Sequence, residues 1–442
     1  MFKSFQNTLK IPELRRRILF TAALLVVYRI GGHIPTPGID GQALQEYFAS
    51  SQNTLFGLYD MFVGGAFRRA TIFALGIMPY ISASIILQLL GSVVPFFQKL
   101  QKEGPEGHKK ITQYTRYGTV LLAALQSYGV SMFLENMQPR GIPVVPHPGW
   151  GFRVLVMITI TTGTIFIMWL GEQIQERGIG NGISLIIFVG IIARLPNAVM
   201  MEINQLQAGN RKILTELLLI AIMVGTTAVV VLMTQAQRRI PVQYAKRVVG
   251  RRVYGGQSTH IPLRVNTAGV IPIIFAQAIV FVPSTITSFF QGNEFMQSMA
   301  TYFSPQSTLY WFFYGILIVF FTYFYTAIVF NPVDLADNMK KYGGFIPGIR
   351  PGKRTSEYID RILTRITLPG AVFLAMIAVF PYFVVRTLKI SSGMRSFLGG
   401  TGLLIVVGVA LDTLQQIESH LVMRHYEGFL KKGRIRGRKR FI

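Results

Sequence analysis

Long apolar runs alternate with short polar segments along the whole chain. Ten runs approach the roughly 20 residues a helix needs to cross a bilayer. They are 18–34, 72–94, 117–134, 152–170, 183–199, 213–233, 268–290, 309–330, 366–385 and 397–414. A bilayer interior satisfies no backbone N–H or C=O, so runs of this length fold as helices. The pattern predicts an all-α polytopic membrane protein with ten transmembrane helices. Residues 1–17 are polar, basic and amphipathic, and read as an interfacial cytoplasmic helix ahead of an uncleaved first span. Residues 55–70, LFGLYDMFVGGAFRRA, are half apolar but too short and too polar to cross. Pro79 falls inside the second span. Arg29, near the outer end of the first, reads as a side chain snorkelling to the interface.

Five spans, an outer connection at 200–212 and five more spans divide the chain into halves, 18–199 and 213–414. An odd number of spans per half inverts the second half relative to the first, as in inverted-repeat membrane folds. Two large polar loops, 234–267 and 331–365, belong to the second half, and a basic tail follows at 415–442.

Assigning the polar segments alternately to two sides separates the charge. The side of the N-terminus holds 33 of the 44 Lys and Arg and 12 of the 19 Asp and Glu, and the other side holds 11 and 7. Lys and Arg are retained on the cytoplasmic side of a membrane, so both termini are expected there. The excess sits mostly in the two large loops and the tail, which suits that face to an acidic partner. Ten spans leave no room for a sizeable soluble domain.

Candidate chemistry is sparse. The chain has no cysteine, and its six histidines form no HExxH pair, so no metal or cofactor is expected. No GxxxxGK[ST] phosphate loop occurs. The span middles are nearly free of ionisable residues; Arg153, Glu172, Arg194, Glu216 and Asp412 fall near span ends. Ion-coupled transport usually needs an intramembrane acid, and an intramembrane protease needs a catalytic pair. What remains is a passage without coordination chemistry, suited to a substrate of variable sequence. A secondary transporter with inverted repeats is the alternative.

Seven strings are more specific. They are GIMPYISASIILQLL (76–90), GIGNGIS (178–184), RRVYGGQSTHIPLRVN (251–266), AGVIPIIF (268–275), YTAIVFNP (325–332), GFIPGIRPG (344–352) and GGTGLLIVVGVALDT (399–413). In this order they closely resemble the SecY family, the channel subunits of the bacterial general protein translocase. The resemblance implies two inverted five-helix halves around an hourglass pore, with a ring of aliphatic side chains at its waist. The matching positions are Ile77, Ile81, Ile183, Ile187, Ile274 and Ile405. Periodicity alone leaves them free to face lipid or the bundle core. The first two pairs are spaced i, i+4, which puts each pair on one helix face. A narrow aliphatic collar dewets and blocks ions, yet deforms around an extended chain.

The resemblance further implies that 55–70 is a plug, a short helix closing the outer funnel. It carries Leu55, Met61, Arg68 and Arg69, with Gly64 and Gly65 to loosen it. Spans two and seven resemble a lateral gate toward lipid, where Ser82, Ser84, Gln88 and Gln277 supply polar groups that can join helices. Arg251, Arg252, Arg350 and Pro351 match the family's docking loops for the ribosome or the motor ATPase SecA. Arginine forms bidentate contacts with RNA phosphate and carboxylate alike, although such charge runs also serve topology. The tail suits ribosomal RNA or anionic lipid. The implied partners also include the small subunits SecE and SecG, unfolded preproteins and signal sequences. The implied setting is a bacterial inner membrane, and the chain itself is expected not to be an enzyme.

Overall fold

The computed structural model describes residues 11–50, 60, 63–137, 143–209, 212–244, 247–249, 252–254, 258–289, 302, 307–388 and 401–432. Every expected span overlaps a helix, the fifth of them, 183–199, being divided between two at residues 193–194. These are α1 (Pro12–Gly31), α3 (Met78–Val93), α5 (Pro105–Glu135), α6 (Trp150–Arg177) and α7 (Gly182–Ile192) in the first half. The second half has α9 (Ile213–Gln235), α10 (Ile271–Phe289), α11 (Thr308–Val329), α13 (Lys353–Leu388) and α14 (Thr401–Lys432). Shorter helices α2 (Gly41–Ser50), α4 (Pro95–Lys102), α8 (Leu195–Gln207) and α12 (Pro332–Lys341) lie between them. Among the described residues seven helical stretches, with α7–α8 and α11–α12 each taken as one, are long and apolar enough to cross a membrane, or eight if the bent pair α3–α4 counts as one span. The remaining two expected spans are α1, which opens with Arg15, Arg16 and Arg17, and α10, whose apolar part is only Ile271–Phe281.

The second span begins later than its hydropathy suggests. Residues 72–77 form turns, Gly76 has φ +56°, and the helix starts at Met78 with Pro79 in its first turn. Proline lacks a donor and fits that first turn, where its N–H would be unpaired anyway. At the other end Val94 is extended before Pro95, as a residue preceding proline prefers. The axis then turns by 96° into the amphipathic α4.

The packing of the first five spans recurs in the second five. In the first half α3 packs on α5, α5 on α6, α6 on α7, and α1 on both α6 and α7. In the second half α10 packs on α11, α11 on α13, α13 on α14, and α9 on both α13 and α14. The halves meet along two lines: α3 and α5 against α10 on one side, and α7 against α14 on the other. Small residues allow the closest approaches. A Cβ on Gly182 of α7 would overlap the carbonyl of Gly171 on α6, as small-residue packing in membranes requires.

The two large polar loops are not separate. β1 (Gln237–Tyr244) pairs antiparallel with β4 (Ser258–Arg264), from Gln237 opposite Arg264 to Gln243 opposite Ser258. On its other edge β1 pairs with β5 (Gly344–Phe345) from the second loop. A two-stranded ladder of β2 (Arg247–Val249) and β3 (Arg252–Tyr254) lies between β1 and β4 in sequence. Ile240 and Val242 alternate with exposed neighbours on β1 and bury against Leu263, Met339, Ile346 and Ile359. One small module therefore unites both loops beneath an otherwise helical fold.

Candidate functional site

The six isoleucines come from four helices, two in each half. Ile77 caps α3, and the Ile81 N–H donates to its carbonyl at 3.2 Å, so the pair is stacked one turn apart. Asn181 caps α7 by accepting from the Ser184 N–H at 3.2 Å, which sets the phase of Ile183 and Ile187. Ile274 lies on α10 and Ile405 on α14, where Gly408 lets Val270 sit against the helix backbone. Ile77, Ile81, Ile187, Ile274 and Ile405 are all buried in one apolar cluster. Ile183 is half-buried against that cluster, beside Gly171 of α6. An apolar constriction lined by such side chains is costly to wet and hence to ions.

The outer segment is held by polar contacts. Leu55 and Met61 lie outside the described residues. Residues 63–70 form consecutive turns, with Val63, Ala66, Phe67 and Ala70 buried. The Tyr28 hydroxyl donates to the Val63 carbonyl and Arg29 Nη1 to the Gly64 carbonyl, both at 3.3 Å. Arg29 is thus half-buried and engaged, where its position near the end of a span suggested snorkelling. Gly64, with φ +70°, approaches α7 so closely that an added Cβ would lie 2.9 Å from Gly190 Cα. Asp60 Oδ2 lies 3.1 Å from Arg194 Nη2, and its Oδ1 accepts from the Arg68 N–H at 2.8 Å. Burial raises the Asp60 carboxyl above the ordinary carboxylate range, against the pull of Arg194, Arg68 and Arg69. Arg69 itself is exposed.

Of the four polar residues assigned to the gate, Gln88 and Ser84 meet: the Gln88 amide donates to Ser84 Oγ at 3.1 Å, within α3. The Gln88 Oε1 is buried without a partner. Gln277 donates to the Tyr310 hydroxyl of α11 at 3.2 Å. Ser82 is half-buried on α3. Among the described residues none of the hydrogen bonds of these four crosses from α3 to α10. A bidentate pair instead ties the neighbouring helices α5 and α6, with Arg116 Nε and Nη2 at 2.9 and 2.8 Å from Glu172.

The basic loop residues lie at the other end. Arg350 and Pro351 are exposed, and the Arg350 carbonyl accepts from Thr355 Oγ1 at 3.0 Å. Their loop follows β5, on the same module as the exposed Arg238 and Arg239 of β1. Arg252 opens β3, with its side chain outside the described residues, and Arg251 lies outside them altogether.

A family model described as SecY matches residues 71–414. The protein translocase subunit SecY of Thermotoga maritima is 47% identical over 99% of this chain and 100% of its own length. That of Escherichia coli K12 is 48% identical over 97% of this chain and 96% of its own.

The chain belongs to the SecY family.

Solved structures agree at the level of the fold. One described as a protein conducting channel has a TM-score of 0.65 at 19% identity and covers 97% of this chain and 98% of its own. A second, concerned with the SecY plug domain that stabilises the closed channel and maintains a membrane seal, has a TM-score of 0.63 at 19% identity and the same coverage. Sec61 in a canine ribosome-channel complex has a TM-score of 0.60 at 18% identity, again over 97% and 98%. As a SecY-family member with seven or more apolar helices, the chain is a multi-pass membrane protein.

Within this SecY-family frame, three features escaped the sequence. The Asp60–Arg194 pair joins distant positions, and its only local sign is a single acid in a segment otherwise rich in arginine and glycine. The Arg29 contact has no sequence sign. The β-module had one: the alternation in RRIPVQY, read only as a charged loop.

Proposed function

We propose that this chain is the pore-forming subunit of a general protein translocation channel. It passes unfolded polypeptides across the membrane and releases apolar segments sideways into lipid. The observation that carries the reading is the burial, in one cluster, of isoleucines from four helices of both halves, in a chain of the SecY family. A washer of this kind is tight to salt and indifferent to the sequence that threads it. Residues 55–70 act as the plug above it, α3 and α10 as the lateral gate, and 200–212 as the hinge between halves 18–199 and 213–414.

Energy comes from outside the chain. The basic module, with Arg350 exposed in the loop after β5, suits a ribosome or the SecA motor, and a structurally similar chain sits in a ribosome-channel complex. SecE and SecG serve as stabilising subunits, and the basic tail meets ribosomal RNA or anionic lipid. The membrane is the bacterial inner membrane, with both termini in the cytoplasm. The test is reconstitution of the full chain with SecE, SecG and SecA in vesicles, scoring protease-protected preprotein. ATP-dependent protection is the expected result. No protection, alongside uptake of a small solute without any motor, would overturn the reading in favour of a transporter.

A further inference from the structure

The apolar seal does not require the ion pair that ties residues 60–70 to α7. Asp60 is the only acidic residue in 55–70 and is 2% exposed. Its two carboxylate oxygens have different duties. Oδ1 takes the Arg68 N–H at 2.8 Å while the Gly65 N–H donates to the Asp60 carbonyl at 2.9 Å, so this residue closes its own turn. Oδ2 faces Arg194 Nη2 at 3.1 Å. Arg194 sits at the junction of α7 and α8, after the C-cap Ala193 and as the N-cap of α8, and its Nη1 is buried without a partner. The contacts from α1 differ in kind: Tyr28 and Arg29 hold only backbone carbonyls of the segment.

We propose that Asp60 and Arg194 are the positioning pair of the plug, fixing its register on α7 while the outer funnel is dry and releasing it when water enters. The proposal rests on reading 55–70 as the plug. The physical reason is the sign of each interaction's response to water. Apolar contacts are favoured by surrounding water, so a purely apolar plug resists a wet funnel. The attraction between two charges falls in proportion as the dielectric rises, by about twentyfold between a dry interior and bulk water. A carboxylate already disfavoured by burial gains hydration at the same moment. A polypeptide arriving with its water therefore loosens this contact first.

The test is the resting ion conductance of the full chain, assembled with its partner subunits, in planar bilayers. Arg194→Gln leaves Asp60 buried without its ion-pair partner, and resting conductance should rise about tenfold or more. Adding Asp60→Asn to that variant replaces the pair with two neutral amides, and conductance should return to within about twofold of the unmodified channel. Asp60→Asn alone should give a smaller rise, because the Arg194 side chain is 30% exposed and can turn to water. Unchanged conductance in Arg194→Gln would overturn the pair. So would a double variant that stays as leaky as Arg194→Gln, since that marks general damage. Deletion of 55–70 separates the two readings. A leaky deletion beside a tight Arg194→Gln overturns the pair and leaves the plug standing. A deletion as tight as the unmodified channel removes the plug reading, and the pair with it.

Discussion

On the proposed reading, the segment of Asp60 and residues 63–70 and the α3–α10 line both part during translocation, and they are made of different interactions. The outer segment is fixed by directional polar contacts from two helices: Tyr28 and Arg29 on α1, and Arg194 beyond α7. Across the α3–α10 line the described polar side chains bond within their own half, and the contact is left to apolar packing. Directional contacts define a single seated position, which a water seal needs. Apolar contacts are readily exchanged for lipid or for an apolar guest helix, since hydrocarbon packs about equally well on either. If they are plug and gate, the way each contact is held matches what would open it.

The most severe break of this contrast is steric. Gly64→Val places a branched side chain at φ +70°, with its Cβ 2.9 Å from both Arg29 Nη1 and Gly190 Cα. Strain and overlap together cost about 3 kcal/mol, which is roughly a hundredfold in the population of the unseated segment. Resting conductance in planar bilayers should rise most in this variant. An equal rise in Gly65→Ala, where an added Cβ meets nothing within 4 Å, would show that backbone strain and not the approach to α7 is responsible.

A charge at the waist tests the layer beneath. Ile81→Asp should lower the cost of wetting the isoleucine cluster by about 1–2 kcal/mol and raise ion leak roughly tenfold with the outer segment still seated. Conductance indistinguishable from the parent channel would mean that Ile81 does not line the passage. Arg350→Glu serves as a control outside both contacts. It should slow motor-driven translocation in vesicles by roughly tenfold, through loss of a bidentate cation, and leave resting conductance and chain stability as they were. A changed resting conductance would couple the basic module to the pore.

Much of this was legible in the chain. Among the described residues a helix lies at each run that hydropathy picked out, because such runs in a bilayer fold as helices. Five of the six isoleucines placed by motif are buried in one cluster with Ile183 half-buried against it, and the odd span count per half matches the repeated packing of α1–α7 in α9–α14. What was not legible depends on pairing. Tyr244 meets Gly344, and Asp60 meets Arg194, only once the helices are packed. The start of α3 was misplaced because an apolar turn and an apolar helix have the same hydropathy; Gly76 and Pro79, read together, were the available sign. Arg29 was assigned to the interface by a rule for isolated spans, which cannot see a neighbouring backbone carbonyl.

The smallest effect bears most directly on the contrast. Gln88 is the candidate seam residue whose Oε1 is buried with no donor, while its amide is spent on Ser84 in the same helix. An orphaned acceptor costs the closed state about 1 kcal/mol, and the cost disappears once parting of the helices admits water or a guest backbone. Leucine has no such group. Gln88→Leu should therefore hold α3 and α10 together more firmly, by about 1 kcal/mol or a factor of roughly five. Strongly apolar signal segments should insert as before, because each Leu or Ile contributes about 0.5 kcal/mol at the bilayer centre and a long run outweighs the change. Weakly apolar segments should lose about fivefold in insertion, scored side by side in vesicles. Better insertion of the weak segments would instead mean that Gln88 helps to close the seam, and that both contacts are held by polar groups after all.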